Sequence, residues 1–330
     1  MSAVQAQARE RVLDELREGE RFVLVTHENP DGDALGSLVA MHGVLRALGK
    51  DSVMFMADDE FPLPYEYRFF DLDGLQSTPP DDLDERTVVF LDCGNIDRNP
   101  ADAFKAEETR ILNIDHHHDN TRFGTVNHVV AEASCTAEIV WDLMRELGVQ
   151  PSTEIAEALY VGLVTDTGRF MYENTGIRAH VMAAELIEAG IDVHALYRRL
   201  YEDMPFAKLE LLSRALHSVT RFDDGRLTYT CLSRADFEES GSEESYSEGI
   251  IDHLRSVEGT KVAALARELA PNGKSKRKKV SLRATDGSVD VSVIARAGGG
   301  GGHRQAAGFS TDLGNDELIA FLREQIAAQA

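Results

Sequence analysis

Three cysteines, odd in number, far apart and with no C-x-x-C between any of them, exclude a disulfide framework and a zinc knuckle; they are Cys93, Cys135 and Cys231. Basic residues are also scarce: 34 Lys and Arg face 57 Asp and Glu, for a formal net charge of -23. A charge of that sign repels long polyanions, which argues against affinity for long duplex nucleic acid or for an anionic membrane. Any anion the protein handles must therefore meet a local positive feature. No apolar run approaches the roughly 20 residues that a membrane span needs. The opening stretch MSAVQAQARERVLDELREGE is polar, with helical periodicity and without the apolar centre of a secretion signal. With the cysteine usage, this predicts a soluble, cytoplasmic protein.

What is present is apolar content of 43% over 330 residues, enough for two cores, and the length points to two domains. The runs FVLVT (22–26), SVMFM (52–56), TVVFLD (87–92) and RILNID (110–115) lack polar alternation and are spaced by helical patterns at 34–48, 135–147 and 155–163. Such a pattern predicts an α/β domain with a doubly wound, mainly parallel sheet covered on both faces. After Gly176 the periodicity is helical to about Leu216. Beyond Val219 the texture changes: RFDDGRLTYTCL and VSLRATDGSVDVSV are strand-like runs, each with an Asp-Gly turn, and NDELIAFLREQIAA closes the chain as a helix. The expected organisation is a catalytic domain over 1–190, a helical connector over 191–216 and a smaller α+β domain over 217–330, with the active site in the cleft between domains. No internal repeat is present, and 241–249 and 272–279 read as loops.

In open parallel sheets, ligands bind beyond the carboxyl ends of the strands. FVLVT leads into His27, Asp31 and Asp33; TVVFLD ends in Asp92; RILNID ends in Asp115, followed by His116, His117 and His118. Asp166, in LVTDTG, follows another apolar segment. A lone aspartate after a strand is commonly a turn or cap residue. Four such sites on one sheet, two with histidines, would repel one another unless a cation offset them. Asp31, Asp33, Asp92 and Asp166 match the charge of two divalent ions. A shared carboxylate, Asp92, would bridge two ions about 3.5–4 Å apart, and a water held between those ions would be acidified into a nucleophile. Oxygen and imidazole ligands without thiolate suit manganese or magnesium. Gly32 and Gly36 fit either a helix N-terminus approached by an anion or a simple turn and cap.

The second domain carries GGGGGHRQAAG (298–308), embedded between strand-like runs rather than placed as a linker. There Gly299, Gly300, Gly301 and Gly302 can lay bare amides against phosphate or ribose oxygens, and His303 adds a donor. From Pro271 to Gln305 eight Lys and Arg face two Asp, which is the required positive patch. Within it, KSKRKK (274–279) reads as a solvated hairpin tip or as an attractor for a nucleic-acid end. It lacks interleaved aromatics, so a platform of stacked bases is not supported.

Taken together, His-x-x-x-Asp-x-Asp at 27–33, the isolated Asp92, Asp115-His116-His117, Asp-x-Gly at 166–168 and the glycine-histidine run resemble, in order and over nearly the whole chain, the DHH phosphoesterase superfamily and its accessory DHHA1 domain. In size and layout the chain is most similar to the short bacterial nanoRNases, or oligoribonuclease/pAp-phosphatases. The resemblance implies that His27, Asp31 and Asp92 hold one manganese ion and Asp33, Asp92, His116 and Asp166 the other, with magnesium or cobalt as alternatives. It further implies that His117 faces the scissile phosphate as ligand or proton donor, that Asp115 orients its neighbours, and that Arg283 grips a terminal phosphate. His118 has no matching role and is expected to be an exposed loop histidine. The activity implied is hydrolysis of short RNA, dinucleotides or 3′-phosphoadenosine 5′-phosphate (pAp), by attack of a hydroxide held between the metals. A cyclic or linear dinucleotide phosphodiesterase is the alternative within the class, and a metal-free nucleotide-binding regulator the alternative outside it. A homodimer, the direction of cleavage and the metal used in the cell stay open.

Overall fold

The computed structural model describes residues 3–61, 63–99, 101–106, 108–268 and 278–329. The chain divides into two compact units, Met1–Asp203 and Met204–Ala330. The first begins with α1 (Ala3–Glu18) and β1 (Arg21–Val25), continues through α2 (Gly32–Ala47), β2 (Asp51–Phe55), β3 (Leu75–Gln76), β4 (Thr87–Leu91), β5 (Ile111–Asp115) and β6 (Val126–Val129), and ends in the helices α3 (Thr136–Glu146), α4 (Thr153–Asp166), α5 (Ile177–Glu188) and α6 (Val193–Tyr201).

Its six strands lie in the order β3-β2-β1-β4-β5-β6, every pair parallel. The apolar runs do not alternate with polar residues because both faces are buried. Val23, Val25, Val88 and Phe90 pack with Phe55 and Phe104 on one side. Phe22, Leu24, Val89 and Leu91 pack with Leu35, Leu38 and Met41 of α2 on the other. Strand order reverses direction between β1 and β4, so the loops leaving their carboxyl ends diverge and open a crevice there.

One expected sheet position is corrected. Asp166 does not follow a strand: it is the last residue of the 14-residue helix α4. The helical pattern expected over 155–163 starts at Thr153 and runs on to Asp166, so this aspartate comes from a helix end, while the other carboxylates follow strands.

The second unit comprises α7 (Phe206–His217), β7 (Thr220–Phe222), β8 (Leu227–Leu232), α8 (Arg234–Ser240), α9 (Ile250–Arg255), β9 (Val262–Glu268), β10 (Lys278–Ala284), α10 (Val291–Ala297), β11 (Gly301–Gly302), β12 (Ala306–Thr311) and α11 (Asn315–Ala327). Its sheet runs β11-β12-β10-β9-β8-β7 and is antiparallel except for the parallel β8–β9 pair. The first Asp-Gly makes the expected hairpin: Asp223, Asp224 and Gly225 take left-handed φ values of 54°, 55° and 87° between β7 and β8. The second Asp-Gly leads instead into a helix, which corrects the strand-like reading of DVSVIARA. Asp290 caps α10 by accepting a hydrogen bond from the Ser292 amide at 3.0 Å. Val291, Ile294 and Ala295 then share one buried face with Leu318 and Leu322 of α11, and that packing outweighs the β propensity of the valines. Of the helices expected to connect the domains, α6 belongs to the first unit and α7 to the second. Among the described residues no helix is long and apolar enough to cross a membrane.

Candidate metal centre

The residues singled out at the strand ends meet around the carboxyl ends of β1, β4 and β5. Asp31 caps α2: its Oδ1 accepts from the amides of Asp33 and Ala34, each at 3.1 Å. The helix therefore starts at Gly32, and Asp33 sits inside its first turn. Asp92 follows β4 with φ +57°, a left-handed conformation that Asp tolerates better than most side chains and that often marks a functional site. His116 and His117 follow the last residue of β5, and Asp166 arrives from the end of α4.

Asp92 is the meeting point. Its Oδ2 lies 3.6 Å from His27 Nε2, and its Oδ1 lies 3.6 Å from both His116 Nε2 and His117 Nδ1. His116 Nε2 is also 3.8 Å from Asp166 Oδ2 and 4.0 Å from Asp33 Oδ2. These separations exceed hydrogen-bond length, as suits donors arranged around a common centre rather than bonded to each other. Three groups of ligand atoms, each gathered within 4.8 Å, result: His27, Asp31 and Asp92; Asp33, His116 and Asp166; and Asp92, His116 and His117.

The electrostatics fit a cation. Burial, then the neighbouring Asp92 and Asp166 carboxylates, push Asp33 well up. Burial likewise drives Asp166 to about 6. Burial would lower His116, but Asp166, Asp92 and Asp33 more than offset it and hold it at about 10. Asp92 is also buried, yet the imidazoles of His27, His117 and His116 around it hold it below the usual carboxylate range. Without a cation the cluster must take up protons to offset its own carboxylates; divalent ions would replace them. The donor set, carboxylate and imidazole with no thiolate, suits an ion such as manganese or magnesium.

Residues that sequence reasoning missed hold the cluster in place. The N-terminus of α3 grips Asp33, with Thr136 N donating to Oδ2 at 2.6 Å and Ala137 N to Oδ1 at 2.9 Å. Those two amides and the helix dipole favour the carboxylate and counter part of the burial effect. Thr136 Oγ1 also donates to Asp92 Oδ1 at 2.9 Å, so one residue orients carboxylates from two elements. Asn174 Nδ2 donates to Asp166 Oδ2 at 3.2 Å. His27 Nδ1 lies 2.7 Å from the Glu28 carbonyl, which fixes the tautomer that turns Nε2 toward Asp92. The one sequence signal for Thr136 was its place at the start of a helical pattern, in Ser134-Cys135-Thr136. We expect Thr136→Val, which keeps size but removes the hydroxyl donor, to weaken manganese binding roughly 10–100-fold in calorimetry. Unchanged affinity would reduce Thr136 to a helix-starting residue.

Gly32 and Gly36 serve helix packing. A Cβ on Gly32 would lie 2.4 Å from Thr165 Oγ1, and one on Gly36 2.4 Å from the Ala158 carbonyl oxygen. His118 is exposed, as expected.

In the second unit Arg283 is half-buried on β10, its Nη1 donating to the Leu282 carbonyl at 3.1 Å. The glycine run joins α10 to β12, with left-handed φ values of 84° at Gly299 and 130° at Gly302. A Cβ on Gly300 would meet the Gly308 carbonyl at 2.1 Å, so the loop lies directly against β12. A hollow of about 500 Å³ is lined by Lys279, Ser281, Gly299, Gly300, Gly308 and Ser310, with Val280 and Phe309. Neither Arg283 nor His303 is among those residues. Of the basic run, 274–277 lies outside the described residues. Lys278 is no solvated tip: it is buried on β10, and its Nζ donates to the Leu313 carbonyl at 3.2 Å.

This fold and centre place the protein among the DHH proteins. Residues 21–163 match the DHH family N-terminal domain and residues 225–328 match the DHHA1 domain. The chain belongs to the DHH family of phosphoester hydrolases. It is 33% identical, over 313 residues, to the bifunctional oligoribonuclease and PAP phosphatase NrnA of Thermus thermophilus, covering 92% of this chain and 89% of that protein. In fold it is similar to an exopolyphosphatase-related protein from Bacteroides fragilis, with a TM-score of 0.85 at 22% identity over 98% of this chain and 96% of the other. A second likeness in fold is to RecJ of Thermus thermophilus in complex with Mn2+, with a TM-score of 0.56 at 15% identity over 99% of this chain and 55% of that one.

Proposed function

We propose that this protein is a manganese-dependent phosphoesterase that hydrolyses oligoribonucleotides a few units long to mononucleotides, and pAp to AMP. The observation that carries the reading is Asp92, whose two oxygens face opposite histidines, Oδ2 toward His27 and Oδ1 toward His116. That arrangement suits a carboxylate shared by two cations. His27, Asp31 and Asp92 would hold one, and Asp33, Asp92, His116 and Asp166 the other. The substrate class is supported by the near full-length relationship to the Thermus protein and by its name.

Two bound cations would supply positive charge opposite the phosphoryl oxygens and make a water acidic enough to act as nucleophile. The chain's own side chains do the rest. Asp115 Oδ1, 2.7 Å from His117 Nδ1, fixes the imidazole so that it can deliver a proton to the leaving oxygen. Arg283, the glycine loop and His303 of the second unit would hold a terminal phosphate.

The test is a panel of substrates with manganese: pAp, dinucleotides with and without a 5′ phosphate, a longer RNA, cyclic di-AMP and pyrophosphate. Highest kcat/KM is expected for pAp and the dinucleotides; failure to release mononucleotide or phosphate from either would refute the reading. Arg283→Ala is expected to raise KM by roughly tenfold on substrates with a terminal phosphate, through loss of charge-assisted hydrogen bonds. An equal rise on a dinucleotide lacking that phosphate would contradict the assignment.

A further inference from the structure

We infer that Asn120 is a positioning residue for His117, acting through Asp115; the inference rests on the phosphoesterase reading above. Asp115 ends β5 fully buried, and its two oxygens divide the work. Oδ1 meets His117 Nδ1 at 2.7 Å, while Oδ2 accepts from Asn120 Nδ2 at 2.6 Å. The second contact is short even for a charge-assisted N–H···O bond.

Asn120 is itself held from several sides. Its Nδ2 also donates to the Cys93 carbonyl at 3.2 Å, in the segment that leaves β4. Its Oδ1 accepts from Asn113 Nδ2 at 2.9 Å and from the Arg122 amide at 2.6 Å. Asn113 Nδ2 in turn donates to Asn127 Oδ1 at 3.3 Å. Asn127 is fastened to Gly124, accepting from its amide at 2.9 Å and donating to its carbonyl at 2.7 Å. A line of side-chain amides thus runs from β6 across β5 to the loop and ends on the carboxylate that carries the imidazole.

The need for such a line follows from the alternatives open to His117. Its Nδ1 has a second carboxylate within reach, Asp92 Oδ1 at 3.6 Å. A carboxylate can rotate about its Cβ–Cγ bond, and a rotated Asp115 would release the ring toward Asp92 and the metal centre. Asn120 pins one oxygen so that the other stays aimed at the imidazole. With Nδ1 committed to Asp115, chemistry on the substrate falls to Nε2.

In the step served, a water oxygen forms the new P–O bond and gives up a proton to solvent. The P–O bond to the ribose breaks, and the electron pair left on the ribose oxygen takes the imidazolium proton, which solvent later restores. A leaving group that is stable as an anion needs no such proton.

The experiment uses that contrast on the full chain with manganese. Asn120→Ala is assayed on a 5′-phosphorylated dinucleotide, whose leaving group is a ribose hydroxyl, and on a nucleotide p-nitrophenyl ester. By the usual cost of losing an orienting partner, kcat on the dinucleotide should fall roughly 10–100-fold with KM unchanged, and kcat on the ester by less than about threefold. In a His117→Ala background, Asn120→Ala should cost nothing further, because the two act as one unit. Activity on the ester reports that the variant is folded; should the alanine variant not fold, Asn120→Ser removes the same donor. Equal losses on both substrates, an undiminished rate on the dinucleotide, or full additivity with His117→Ala would each overturn the inference. Wild-type protein that cleaves neither substrate would instead overturn the phosphoesterase reading on which it rests.

Discussion

Asp92→Ala is expected to abolish turnover, by well over the roughly 100-fold that loss of an orienting partner costs. The expectation follows from position. The Asp92 carboxylate faces both halves of the cluster, with His27 on one oxygen and His116, His117 and the Thr136 hydroxyl on the other. Its removal would strip a carboxylate from both cation positions and leave those imidazoles facing a gap. Calorimetry with manganese should show binding weakened at both positions rather than at one. The backbone complicates the alanine variant, because φ is +57° at this residue, and alanine there costs about 1–2 kcal/mol where Asp or Asn is better tolerated. Asp92→Asn separates the two effects, since it keeps the left-handed turn and the shape but removes the charge. It should unfold near the wild-type temperature and still be inactive. Substantial activity in either variant would refute a carboxylate shared between two ions.

The parts of this centre legible in the sequence were those carried by single chain segments. An apolar run ending in Asp or His announces both a strand and what lies at its tip, and β1, β4 and β5 each did so. Asp166 was legible as a candidate, and its helix as a pattern over 155–163, but nothing local said that the helix runs on to the aspartate itself. DVSVIARA failed for a related reason: valines separated by small polar residues alternate like a strand, while the helix depends on α11 packing against it. The residues that orient the carboxylates were not legible at all. Thr136 and Asp33 are 103 positions apart, and Asn120 reaches Asp115 through a loop whose course no local pattern dictates. Asx and hydroxyl side chains have many local uses in turns and caps, so nothing in their own neighbourhood marks them as supports.

Gly36→Leu should be the most destructive change outside the cluster, because the separation of α2 and α4 sets where two of its carboxylates lie. Asp33 is in the first turn of α2 and Asp166 is the last residue of α4. Between them the helices approach so closely that a Cβ at Gly36 would sit 2.4 Å from the Ala158 carbonyl oxygen and 2.9 Å from the Gly162 amide nitrogen. Both are backbone atoms and cannot turn aside. From α4, a Cβ at Gly162 would meet Asp33 Oδ1 at 2.9 Å, so this crossing reaches the cluster itself. Propensity alone says that alanine in place of a mid-helix glycine stabilises by about 1 kcal/mol. The steric argument says the reverse at this position, since overpacking costs about 1–3 kcal/mol even for modest additions. We therefore expect Gly36→Ala to lower stability in urea unfolding and to weaken manganese binding, and Gly36→Leu to prevent folding. Gly43, on the same helix, is the comparison: its Cβ would meet Ile155 Cγ1 at 2.6 Å and Cδ1 at 3.1 Å, side-chain atoms that give only as the χ1 of a buried β-branched residue gives. Gly43→Ala should cost less stability than Gly36→Ala and leave metal binding unchanged, because no backbone atom and no cluster residue is met. A stabilised Gly36→Ala with wild-type metal affinity would show that the helices have room to spare, and that their spacing does not set the distance between Asp33 and Asp166.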